Sequence, residues 1–229
     1  MTHSINRLKT TSSGLILMMS TLLCSCSVLT PAKVSPTNRY SFDNAVTVAR
    51  VSQKIAAALA TKTNGPTIVV SVPHAAAGFD SQHIVYVRQA HKLEYFQQSE
   101  WIEAPSVMLT PLVSSALERS GRFNSVVQSP TSVIGQLRLD LDIVRLQQEF
   151  FSVPSKVHFT LRAHLLDTST RQVIAWREFD ILVVSSSEDP YGGVIAANNA
   201  IRRVMDELAE FCIQAVDEQM TGDKKPLIK

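Results

Sequence analysis

The chain has few cysteines, and their positions exclude several kinds of site. Only three occur in 229 residues, and only Cys24 and Cys26 lie near one another. A structural zinc site needs four ligands, whereas this pair supplies two. A disulfide between them would close a strained ring. Cys212 is far away, without a neighbouring histidine and within an apolar helical pattern, so we expect it to be a buried, inert thiol.

Charged residues are also scarce, and neither sign prevails. They make up 18% of the chain, below the usual quarter, with 22 Lys and Arg against 20 Asp and Glu. Removal of residues 1–25 would take away Arg7 and Lys9 and no acidic residue, which leaves a formally neutral chain. Nothing in this balance suggests nucleic acid or a strongly anionic surface as a partner.

Motifs of common enzyme classes are missing. There is no G-x-S-x-G, and no G-K-[ST] follows "NGP" or "YGGV", so neither is a P-loop. His158 and His164 would lie about 20 Å apart along one strand, too far to share a metal ion. Asp140 and Asp142 would lie about 7 Å apart on a polar strand face. Such a pair can serve acid–base chemistry, but it is more often a solvated face, here with Arg162 as a cross-strand partner.

We therefore predict no catalytic residue, no cofactor and no metal site. A hydrolase that uses Asp140 and Asp142 is the less favoured alternative.

No apolar run is long enough for a permanent membrane helix. The longest candidate, "GLILMMSTLL" at residues 14–23, follows a basic segment and precedes small residues. This is the layout of a secretory signal peptide. The next residues resemble a bacterial lipobox, with Leu23 at position −3 and Ser25 at −1 relative to Cys26. Cys24 fits less well because Leu23 would then occupy position −1.

The sequence thus predicts a lipoprotein signal peptide over residues 1–25 and lipid attachment at Cys26. An ordinary signal peptide and an uncleaved anchor are the alternatives. Ser27, in place of Asp, resembles the outer-membrane sorting pattern of Gram-negative lipoproteins. Two or more acyl chains, palmitate among them, hold a protein stably on a membrane. We expect a chain anchored to the outer membrane on its periplasmic face, with a tether over residues 26–38.

The rest of the sequence predicts one domain over residues 39–220 and a flexible tail over 221–229. Three long segments alternate strictly between apolar and polar residues, which favours antiparallel neighbours with one buried face. Pro111 predicts a kink or a new turn capped by Thr110, and Gly121 predicts a helix end. The predicted strands cover 39–43, 67–72, 83–88, 92–96, 123–128, 137–143, 157–165 and 172–184, and the predicted helices cover about 48–59, 101–123 and 193–220.

Four aromatic residues crowd the predicted hairpin of residues 83–96 and the segment after it: Tyr86, Tyr95, Phe96 and Trp101. One interpretation is a rim that contacts a partner protein or lipid. The other, which we favour, is cross-strand packing within the hairpin.

An ordered series of short motifs resembles the ABC-type transport auxiliary lipoproteins, which include partners of MCE (mammalian cell entry) and paraquat-inducible-type systems. The series covers roughly residues 39–212. Ala104 departs from it, because the family has a second proline there before the helix. The motifs are Tyr40–Phe42, Ile84–Arg88, Leu93–Phe96, Trp101, Pro105, Met108–Leu112, Leu117–Phe123 and the segments 137–150, 154–167, 170–175 and 189–200.

The resemblance implies a single-domain, three-layer α/β fold with a mixed, mostly antiparallel sheet packed by helices. It implies an outer-membrane lipoprotein that docks an MCE-type substrate-binding protein and works with an ABC permease and ATPase. The role would be to help move phospholipids or apolar compounds between membranes, with lipid itself a further candidate contact. The family supplies no catalytic residues, and a homo-oligomer is compatible with docking. The alternative is a structural or assembly lipoprotein that binds other envelope proteins without transport.

Overall fold

A computed structural model of the chain describes residues 36–43 and 64–221, and from Thr37 onward they belong to one compact unit. No helix in these two ranges is both long and apolar enough to span a membrane. The strands are β1 Asn38–Tyr40, β2 Thr67–Val70, β3 His74–Ala75, β4 His83–Gln89, β5 Lys92–Trp101, β6 Ser125–Gln128, β7 Leu137–Glu149, β8 Lys156–Asp167 and β9 Gln172–Val184, and the helices are α1 Pro105–Ser120 and α2 Pro190–Thr221.

The three longest strands, β7, β8 and β9, form two successive antiparallel pairs. In β8 and in β7 up to Ile143, apolar residues face one side and charged residues the other, as the alternation predicts. β9 departs from this pattern, because Trp176 and Leu182 are exposed on the polar side. A bulge between Ile143 and Arg145 shifts the phase of β7, so that Leu146 and Gln148 turn inward after it. The buried side chains of β7 and β8 are Leu137, Leu139, Leu141, Ile143, Leu146, Val157, Phe159, Leu161, Ala163 and Leu165.

The other edge of β7 is shared by three short strands that run parallel to it, one after another. β2 pairs with its beginning, β3 with its middle and β4 with its end. β6 then extends the sheet beside β2, while β5 and β1 extend it beside β4. The predicted single-domain α/β fold with a mixed sheet is confirmed. Antiparallel ladders contain most of the paired residues, because they join the longest strands.

Two helices cover the apolar side of this sheet within the described ranges. α2 packs on β8 and β9, and α1 packs on α2 and β6. Phe179 of β9 meets Phe211 of α2 edge to face, with ring centroids 6.1 Å apart. Cys212 beside it is fully buried, as predicted, and burial raises the pKa of its thiol to about 12.

The course of α1 differs from the prediction at two points. The helix begins at Pro105, after Ala104, and continues through Pro111, so the predicted new turn does not form there, while the alternative, a kink at Pro111, stays a prediction. Thr110 donates its hydroxyl hydrogen bond back to the Ser106 carbonyl, at 2.9 Å, and does not cap a second segment. Because buried residues on both sides of Pro111 hold the helix in the core, packing offsets the hydrogen bond that the proline removes. Gly121 ends the helix at φ 66°, as predicted.

Several predictions fall outside the described residues and stay predictions. They are the signal peptide with Cys26, the tether up to residue 35, the helix over 48–59 and the tail from residue 222.

Candidate functional site

The structure separates the four aromatic residues that the sequence places together. Trp101 is only 3% exposed and packs edge to face on Phe42, with centroids 5.0 Å apart, so it belongs to the core. Tyr86 stacks on Phe96 at 4.5 Å across the β4–β5 pair. Tyr95 lies on the opposite face, where its ring is 4.9 Å from that of His83. Cross-strand packing therefore accounts for the Tyr86–Phe96 pair.

A concave surface lies next to this pair, at the edge of the sheet beside β1. It is a groove of about 480 Å³ between β1, β5 and the first turn of α2. Its aromatic wall consists of Tyr40, Phe96 and Tyr191, and the Tyr40 and Tyr191 ring centroids are 6.2 Å apart. Tyr191 is 58% exposed. The polar part of the lining consists of Asn38, Gln97, Gln98, Ser99 and Asp189.

The fold holds both walls of the groove in place. β1 pairs in parallel with β5, and Tyr40 lies opposite Trp101 in that register. On the other side, Asp189 caps α2, because its Oδ1 accepts a hydrogen bond from the Gly192 amide at 2.7 Å. The Ser187 hydroxyl donates a second bond to the same oxygen, at 2.8 Å. The Gly192 bond, followed by the Ser187 bond, lowers the pKa of Asp189, which keeps the cap charged.

The sequence did not reveal Tyr40 and Tyr191 as members of one site, although both stand in quoted motifs. Tyr40 ends the first strand, and Tyr191 follows the Asp-Pro pair at the start of the last helix. The sequence did contain one indication of the site, because Tyr191 is an aromatic residue in the first turn of a helix that Asp189 caps. What sequence cannot supply is the contact between residues so far apart in the chain.

The polar face of β7, β8 and β9 carries the two aspartates that were considered for acid–base chemistry. Asp140 accepts hydrogen bonds from the Ser71 hydroxyl at 2.6 Å and from Arg138 at 2.9 Å. Arg162 lies directly opposite Asp142 in the β7–β8 register, as expected for a cross-strand partner, but its guanidinium donates its hydrogen bond to Glu178 of β9, at 2.7 Å. Both aspartates face the same way, but Asp140 is engaged in a local network.

A second polar network surrounds His158, which sits between two carboxylates. Its Nδ1 is 3.0 Å from Glu149 and its Nε2 is 2.7 Å from Asp180. The Thr160 hydroxyl also donates to Asp180, at 2.6 Å. That bond contributes most to the lowered pKa of Asp180, and His158 adds to it. Since each carboxylate comes from a different strand, the network ties β7, β8 and β9 together.

Across residues 36–43 and 64–221 no group of three His, Cys, Asp or Glu side chains could hold a metal ion.

The comparison with known families decides the identity of the domain. Residues 50–209 match the family model of the ABC-type transport auxiliary lipoprotein component. The chain belongs to this family. No curated protein matches the chain. As an auxiliary lipoprotein component, the protein is associated with an ABC transport system.

Two solved structures have a fold similar to that of the auxiliary lipoprotein. Protein XCC0632 from Xanthomonas campestris, of family DUF330, superposes with a TM-score of 0.63 at 24% identity. The match covers 69% of this chain and 89% of that one. An uncharacterized protein gives a TM-score of 0.57 at 10% identity, with 77% of this chain and 98% of that chain covered. At these identities the likeness concerns the fold alone.

Proposed function

We propose that this auxiliary lipoprotein is anchored by Cys26 to the periplasmic face of the outer membrane and docks the MCE-type substrate-binding protein of an ABC transporter. The permease and the ATPase are separate chains of the same system. Docking helps phospholipids or other apolar compounds to pass between the membranes. The observation that carries this proposal is the family match over residues 50–209.

The groove beside β1 supports the docking part of the proposal. Tyrosine is enriched in protein interfaces because it offers a large, rigid contact area with a polar end. Tyr40 and Tyr191 present such area from a strand and a capped helix, so little side-chain order has to be gained on binding. Asn38, Gln97 and Gln98 add hydrogen-bonding groups along the same groove. The groove thus suits a peptide segment of a partner protein.

The test compares two variants of the auxiliary lipoprotein in its native membranes. Tyr191→Ala truncates the groove wall, and Ile134→Ala truncates an apolar residue that lies outside the groove and is even more accessible, at 92% exposed. An interface tyrosine at a hot spot contributes about 2 kcal/mol, so its loss should weaken binding about 30-fold. The readout is copurification from solubilised membranes, with partners identified by mass spectrometry.

We expect wild type and Ile134→Ala to recover the MCE-type protein, the permease and the ATPase, and Tyr191→Ala to lose most of them. Recovery of other envelope proteins without any transporter subunit would instead favour the structural or assembly role. Equal recovery with both variants would contradict docking at the groove.

A further inference from the structure

The end of the domain where β7 turns into β8 carries several exposed apolar side chains, and further ones, Ile134 among them, lie at the opposite end. Phe151 and Val153 stand in that turn and are 56% and 89% exposed. Val184, at the end of β9, lies next to it because it pairs with Lys156, the first residue of β8. Leu93 projects from the neighbouring β4–β5 hairpin and is also exposed. Four apolar side chains thus face solvent where two hairpin ends and a strand end meet.

The strand directions show that the chain enters the unit from this same end. β4 runs parallel to β7 and therefore ends beside the β7–β8 turn. β5 runs back from that end, and β1 is parallel to β5. The first residue of β1, Asn38, pairs with Ser99 of β5. Through the β5–β4 and β4–β7 registers, this position along the strands corresponds to about residue 146 of β7. Asn38 is thus roughly 13 Å short of the turn, at about 3.3 Å per residue.

The length of chain before β1 fits a membrane at this end. The proposed lipid attachment site, Cys26, precedes Asn38 by 12 residues. A segment of that length spans at most about 40 Å when fully extended. The β7–β8 turn lies well within this reach. The opposite end of the sheet, with Ile134, lies about 40 Å from Asn38 at about 3.3 Å per residue, which is the whole length of the extended segment.

We propose that the β7–β8 turn rests in a lipid surface, with Phe151 and Val153 in the boundary between headgroups and acyl chains of the membrane that holds the lipid anchor. The inference rests on the proposed anchoring at Cys26. Apolar side chains at this depth are removed from water, which favours contact with the membrane. Because the anchor keeps the turn near the surface, even a weak intrinsic affinity suffices. Exposed Lys156 follows the turn, and its ammonium group suits lipid phosphates.

A site-specific fluorescent label tests this placement in the acylated full chain, reconstituted into vesicles of phosphatidylethanolamine and phosphatidylglycerol. Val153→Cys places an environment-sensitive dye in the turn, and Ile134→Cys places it at an exposed apolar position of the opposite end. Cys212 is buried and its thiol pKa is about 12, so it does not compete for the dye. We expect a blue-shifted emission at position 153 and several-fold stronger quenching by spin-labelled lipid there than at position 134.

Mass spectrometry of the reconstituted protein separates the two proposals. An unacylated Cys26 would overturn the anchoring and this inference with it. An acylated chain whose two labels are quenched equally would overturn the inference alone. Dye signals at position 153 that appear only when copies crosslink, or only with transporter subunits present, would make the turn a protein interface. A second variant, Phe151→Asp in the Val153→Cys chain, should reduce the quenching while circular dichroism stays unchanged.

Discussion

Gly193 of α2 lies against Gln148 of β7. From this contact we predict that Gly193→Ala destabilises the protein when Gln148 is present and stabilises it when Gln148 is replaced by alanine. A Cβ added at Gly193 would overlap the Gln148 Oε1 and lie 2.9 Å from its Cδ. The Gln148 carboxamide has little room to move, because it is buried and donates a hydrogen bond to Ser155 at 3.0 Å. Its Oε1 accepts no hydrogen bond from the described residues.

The magnitude follows from two opposing contributions to the free energy of unfolding. Alanine in a helix is more favourable than glycine by about 1 kcal/mol. Overpacking of a filled core costs about 1–3 kcal/mol. Gly193→Ala should therefore destabilise the protein by about 0–2 kcal/mol. In a Gln148→Ala chain the overlap is absent, so the same substitution should stabilise by about 1 kcal/mol.

A double-mutant cycle measures this coupling by guanidinium chloride unfolding of the purified chains, followed by far-UV circular dichroism. The control is Gly121→Ala, where an added Cβ meets nothing within 4 Å and only the positive φ of 66° is unfavourable. Its cost should be the same in the wild-type chain and in the Gln148→Ala chain. A Gly193→Ala effect that is also independent of Gln148 would refute the reasoning from steric overlap.

Two other predictions concern the anchor and the response to acid. Cys26→Ser should leave the precursor unprocessed and without acyl label, whereas Cys24→Ser should be acylated normally; acylation of the Cys26→Ser chain would move the attachment site to Cys24. Asp167 has a pKa lowered to about 2, first by the Ser169 hydroxyl and then by the Thr170 amide. Because its folded pKa lies below its unfolded value of about 4, its contribution to stability is present above pH 4 and lost as the pH falls towards 2. In the Asp167→Asn chain the unfolding midpoint should depend less on pH between about 4 and 2 than in the wild type. An equally steep pH dependence in both chains would contradict the assignment to Asp167.

Local patterns predicted the parts of the fold that depend on local physics. Strict alternation identified β7, β8 and β9, since one face of each strand is buried and the other solvated. A glycine after an apolar stripe identified the end of α1, since Gly121 adopts a left-handed conformation. The β7 bulge limited the same method, because it turns Gln148 inward at a position that the alternation assigns to solvent.

The candidate site was less predictable because it depends on contacts between distant parts of the chain. Tyr86 and Tyr95 are close in sequence and similar in character, yet the register of β4 and β5 sends them to opposite faces. Tyr40 and Tyr191 form one groove only because β1 pairs with β5 while α2 starts beside it. Pro111 shows the same limit, since tertiary packing decides whether a helix continues through a proline.

The shared edge of β7 also has a consequence for how the protein is made. β2, β3 and β4 all need β7 as a neighbour, and Ser71 meets Asp140 from 69 residues away. During synthesis these short strands therefore keep unpaired edges until most of the chain has followed them, and exposed edges of this kind favour aggregation. Contacts of such long range make the sheet slow to assemble. The first half of the domain thus needs protection from wrong pairing until β7 arrives, which makes a holding chaperone more important for this chain than for a protein built from local hairpins.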